Sequence, residues 1–154
     1  MTGHRIELEQ LVQARPERVW EVLTDVEHAD QTLRGVERVE MLTEGPYDVG
    51  TTWRETRRMF GKEATEQLKV TAVEPPARTV VEADSGGVHY VTEFTLTPTS
   101  SDATRLTMTF AAAQADPGPL HKVMWLLFGR LGMKATRKIM VQDLQDIAAA
   151  AQRT

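Results

Sequence analysis

The chain has 154 residues, 41% of them hydrophobic and 26% charged, as expected of one domain that buries a core of its own. It holds no cysteine, which excludes disulfides, thiolate metal sites and a cysteine nucleophile. Its net charge of −4 is spread along the sequence with no basic block, so no nucleic-acid partner is expected.

The histidines, His4, His28, His89 and His121, are scattered without metal-ligand spacing, so no metal and no cofactor is implied. The opening MTGHRIELEQ lacks the apolar core of a signal peptide. The longest apolar run, Val123–Phe128, falls far short of the ~20 residues that cross a bilayer. A cytoplasmic protein with no integral membrane segment is expected.

In chain order, Ile6, Leu8 and Val12 alternate with polar residues and predict a strand. Pro16 suits the first turn of a helix whose apolar face is Val19, Trp20 and Leu23. A short second helix is expected around His28–Leu33, then a strand through Val36, Val39 and Met41. Strands follow at about 51–60, 63–74, 78–84, 87–97 and 104–113. The breaks carry turn chemistry: Gly61-Lys62, Pro75-Pro76, Ser85-Gly86-Gly87 and Pro98–Asp102. Short connections imply antiparallel hairpins.

After Asp116-Pro117-Gly118-Pro119 the period becomes helical, with an apolar helix at about 119–128 and a long one at about 133–151. Thr136, Ile139, Met140, Asp143, Leu144, Ile147 and Ala151 form one face of the long helix. Gly129 and Gly132 are expected to break or kink the path between the two. Val123–Phe128 is apolar on every side, which fits a buried helix end, a cavity lid, a homodimer contact or a membrane-surface contact. The expected architecture is α+β: a curved antiparallel sheet of about seven strands wrapped around a long C-terminal helix that buries one sheet face. No repeat or low-complexity linker divides the chain, so residues 1–154 are expected to form a single domain.

Three segments carry a family resemblance: Ala14–Asp25 (ARPERVWEVLTD), Val49–Glu55 (VGTTWRE) and Val73–Arg78 (VEPPAR). The chain resembles the START/Bet v 1-like superfamily, also called SRPBCC, and within it the polyketide cyclase/dehydrase group. The resemblance covers nearly the whole chain and implies the helix-grip fold, with a ligand cavity between sheet and helix. Members include lipid carriers, hormone receptors, aromatases and cyclases, so the fold does not name a ligand.

The hairpin at Gly61-Lys62, read with a two-residue loop, places Trp53, Met59, Ala64, Leu68, Val70 and Ala72 on a buried side. Glu55, Arg57 and Glu66 then share that side, with Arg57 directly opposite Glu66 and within ion-pairing reach. Such charges must pair or meet water. They read as a structural salt bridge or cavity-rim charges, as a polar anchor for a mostly apolar ligand, or as an acid/base at Glu55 or Glu66. Tyr90, Thr92 and Phe94 share a face of a later strand with Val88 and Leu96, and Leu106, Met108 and Phe110 form another.

The candidate cavity-lining residues are Trp53, Glu55, Arg57, Met59, Glu66, Leu68, Tyr90, Thr92, Phe94, Met108 and Met124. Their mix, mostly apolar with a few polar points, is the usual form of a small-molecule site. The expected partner is a hydrophobic small molecule, lipid- or polyketide-like. The alternatives are a cyclase or aromatase that uses the cavity Glu, Arg and Tyr residues, and an interaction module or homodimer through 123–128. No catalytic triad order, phosphate loop or metal motif favours an enzyme.

Overall fold

A computed structural model describes residues 3–59, 61–85, 87–114 and 130–153. The expected helix at 119–128, and with it Met124 and the Val123–Phe128 segment, lies outside the described residues.

The described strands are β1 (Gly3–Val12), β2 (Val36–Met41), β3 (Thr52–Met59), β4 (Lys62–Glu74), β5 (Arg78–Ser85), β6 (Val88–Ser100) and β7 (Ala103–Gln114). They form one antiparallel sheet in the order β1-β7-β6-β5-β4-β3-β2. From β2 to β7 every strand pairs with its sequence neighbour, and β1 closes the far edge against β7. The excursion from β1 to β2 crosses between edges through α1 (Pro16–Thr24), a 3-10 turn (Val26–His28) and α2 (Ala29–Thr32). Pro16 opens α1, where its missing N–H costs nothing.

The long helix α3 runs over Arg130–Gln152. It begins three residues earlier than the periodicity predicts and passes through Gly132 without interruption. A glycine inside a helix costs roughly 1 kcal/mol relative to alanine, which the rest of a 23-residue helix absorbs.

Helix α3 packs differently along its length. Toward its C-terminal end Leu144, Ile147, Ala148 and Ala151 join Ile6, Val12, Val19, Leu96 and Leu106 in a solid core. Each fully buried Ile, Leu or Val contributes on the order of 1.5–3 kcal/mol. Nearer its start, Thr136, Ile139, Met140 and Asp143 face open space above the sheet. Asp146 fastens the middle of the helix to the β2 side, accepting the Arg34 backbone N–H at 2.9 Å and its Nε–H at 2.8 Å.

The β3–β4 register differs from the one read from the sequence. Met59 pairs with Lys62, where Ala64 was expected, and Gly61 has φ +78°. Glycine accepts positive φ at either turn position, so the sequence could not separate the two loops. The shift moves every partner by two residues, and because side chains alternate with period two, each stays on its expected face. Glu55 therefore lies opposite Glu66, and Arg57 opposite Ala64.

Candidate functional site: an apolar cavity with a charged end

Between the sheet and α3 lies a cavity of about 220 Å³. One water needs only ~10–15 Å³, so this space is far larger than a packing defect. Its floor comes from five strands. β3 contributes Trp53, Glu55 and Arg57, β4 contributes Glu66 and Leu68, and β5 contributes Val81 and Ala83. β6 and β7 add Tyr90, Thr92, Phe94, Met108 and Phe110. The Tyr90 and Phe110 rings stack with centroids 5.6 Å apart. Helix α3 forms the roof, and Leu23 and Leu33 help close the side.

The structure thus places Trp53, Glu55, Arg57, Glu66, Leu68, Tyr90, Thr92, Phe94 and Met108 around one cavity. Met59 ends β3, but its side chain, like all of Met124, lies outside the described residues. Asp143 and Thr136, on the expected inner face of the long helix, join the lining although neither was among the expected cavity residues. The signal for Asp143 was an acid on an apolar helix face, which requires a buried cation nearby.

That cation is Arg57. Its Nε–H donates to Glu55 Oε2 at 2.6 Å, and Nη1 and Nη2 donate to Asp143 Oδ1 and Oδ2 at 3.1 and 2.8 Å. The expected Arg57–Glu66 contact is absent, because the two-residue register shift moves Glu66 opposite Glu55 instead. Burial opposes the Arg57 charge, but Asp143 and Glu55 outweigh it and hold the guanidinium above its ordinary range. Gly35 explains how the guanidinium fits: a Cβ there would lie 3.2 Å from Arg57 Nη1.

The Glu66 carboxyl makes no hydrogen bond or ion pair with any described residue. Burial pushes its carboxyl up, the Glu55 charge pushes it further, and Arg57 pulls it back. Burial also raises the Tyr90 hydroxyl to about 12, with the Glu66 charge adding, so this hydroxyl keeps its proton at neutral pH. Two further polar atoms are buried without a partner among the described residues, Trp53 Nε1 and Thr136 Oγ1, and both residues line the cavity. Buried polar atoms in native folds are nearly always satisfied, so these two, one on a floor residue and one on a roof residue, are exceptions to that rule. Among the described residues no group of three or more His, Asp or Glu side chains is placed to hold a metal ion.

A model of a known family matches residues 3–152, and its description is polyketide cyclase/dehydrase and lipid transport. The chain belongs to this family. The family's fold recurs in solved structures. The Zhui aromatase/cyclase from Streptomyces sp. R1128 superposes with a TM-score of 0.83 at 20% identity, covering 99% of this chain and 95% of that one. A truncated norcoclaurine synthase from Thalictrum flavum gives 0.76 at 18% identity, covering 99% and 96%. A START superfamily protein from Mycobacterium smegmatis gives 0.68 at 15%, covering 96% and 93%. These likenesses bear out the helix-grip fold, and the family match bears out the polyketide cyclase/dehydrase resemblance. No curated protein sequence matches the chain. Among the described residues no helix is long and apolar enough to cross a membrane.

Proposed function

We propose that this member of the polyketide cyclase/dehydrase and lipid transport family binds one small apolar molecule, lipid- or polyketide-like in its skeleton, in the cavity under α3. The observation that carries the reading is the cavity itself: about 220 Å³, walled mainly by Leu, Val, Met and aromatic side chains, with an unpaired carboxyl at Glu66. Leu68, Phe94 and Met108 contact the ligand's apolar body. Its polar end meets Glu66, beside Tyr90 and Thr92 on the same cavity lining. Glu55 and Arg57 support that end as part of the cluster with Asp143. Arg57 is committed to two carboxylates, so its role is to hold the wall rather than to capture the ligand. The test is titration of the purified chain with a neutral aryl probe, read by fluorescence. Saturable one-to-one binding is expected; no saturation up to the probe's solubility contradicts the reading.

One observation favours a second reading, cyclase- or aromatase-type chemistry. Glu66 is a carboxyl raised by burial, facing the cavity near the protonated Tyr90 hydroxyl. A raised carboxyl is better matched to proton transfer near neutral pH. In this reading Glu66→Gln abolishes conversion of a bound poly-β-keto substrate, measured by product formation. Undiminished product from Glu66→Gln rules it out.

A further inference from the structure

The charges on the cavity wall do not balance. Among its described lining residues Arg57 is the sole cation, against the carboxylates of Asp25, Glu55, Glu66 and Asp143. Arg57 is held by Glu55 and Asp143, and Asp25 at the rim meets His28 Nδ1 at 2.9 Å. Glu66 remains, half-buried on an apolar wall and facing another carboxylate across the β3–β4 pair.

We propose that the ligand is a base rather than an acid: an apolar skeleton carrying an ammonium group that seats against Glu66. This rests on the ligand-binding reading and names the chemistry of the ligand's polar end. The argument is one of complementarity. A carboxylate or phosphate entering here finds no uncommitted cation among the described residues and meets like charge in a site of reduced dielectric. Juxtaposed like charges of that kind are disfavoured and act as a rejection device.

An ammonium supplies the partner Glu66 lacks and converts an unpaired carboxylate into a charge-assisted hydrogen bond. The stacked Tyr90 and Phe110 rings and the Trp53 indole line the same cavity and offer π-faces to a cation.

Three probes that share a naphthyl skeleton separate the alternatives: naphthylethylamine, naphthylethanol and naphthylacetate, which at about pH 7 are cationic, neutral and anionic. Each is titrated against the whole chain by calorimetry. The expected order of affinity is ammonium, then alcohol, then carboxylate, with the ammonium bound about tenfold or more tighter than the alcohol, the scale of one charge-assisted hydrogen bond. In Glu66→Gln the ammonium loses that lead, and in Glu66→Lys the carboxylate overtakes it.

Binding of the alcohol with no ammonium preference, or with the carboxylate tightest, overturns the inference and leaves the cavity reading standing. An ammonium preference that survives both substitutions overturns the seat at Glu66. Failure of all three probes to bind overturns the cavity reading, and the inference with it.

Discussion

Arg57 and Asp143 form a two-pronged ion pair, Nη1–Oδ1 at 3.1 Å and Nη2–Oδ2 at 2.8 Å, across 86 residues of sequence. The pair joins the floor of the cavity at β3 to its roof at α3. Side-chain exposure is 17% for Arg57 and 9% for Asp143, so neither charge can be left alone without a large penalty. The fork fixes the helix over the sheet where the hydrophobic core gives way to open space.

Removing the arginine therefore strands two carboxylates, Glu55 and Asp143. Arg57→Met is expected to cost ~3–5 kcal/mol in urea unfolding. A double-mutant cycle locates the partner. Coupling between Arg57→Met and Asp143→Leu should exceed that between Arg57→Met and Glu66→Leu by about 1 kcal/mol or more. The reverse order would restore the register in which Arg57 faces Glu66.

Gly35 gives a steric test of the same cluster. The Cβ of Gly35→Ala would press Arg57 Nη1 at 3.2 Å, and the guanidinium cannot yield while Glu55 and Asp143 hold it. A loss of about 1–3 kcal/mol is expected, typical of overpacking. In an Arg57→Met background the penalty should disappear. An equal loss in both backgrounds would place its origin in the backbone.

Glu66 sets a pH dependence whose sign is fixed. Its pKa in the fold lies above the ordinary value of 4.5, chiefly through burial. A group raised on folding stabilises the fold fully below its unfolded pKa, and that stability is lost as pH rises through the raised value. Glu66→Gln cannot titrate, so it should melt higher than the parent at neutral pH, with the gap closing toward about pH 4. Melting curves across this range check it; a gap that opens toward acid would contradict the assignment.

Filling the cavity should separate binding from folding. Thr92 faces the void from β6, opposite Val81 and Phe110 on the neighbouring strands. Thr92→Phe is expected to keep or raise the melting temperature, since cavity filling commonly adds ~0.5–2 kcal/mol. The same change should weaken binding of a neutral aryl probe about tenfold or more. Unchanged affinity would move the binding site elsewhere.

Much of this arrangement was legible in the residues. Alternation from Thr52 to Gln114 marks the strands and their inner faces, and Leu144, Ile147 and Ala151 mark the buried side of α3. What period-two alternation cannot resolve is a slip of two residues, which is why Glu66 stood opposite Arg57 in the sequence reading and stands opposite Glu55 in the fold. The Arg57–Asp143 fork was out of reach for a different reason. Where a helix lies along a sheet is decided by packing between distant segments, and spacing within either one does not record it. Trp53 and Thr136 were visible as inward residues, but only assembly of the cavity shows that their polar atoms lack partners.

The central claim, that a ligand occupies the space under α3, is tested most directly by methyl NMR of the methionine-labelled chain titrated with naphthylethanol. Met108 and Met140 line the cavity from floor and roof, whereas Met41, opposite Trp53 on β2, does not line it. The account predicts saturable one-to-one shifts of the Met108 and Met140 methyls, larger than any at Met41. Shifts confined to Met41, or none at saturating probe, would contradict it.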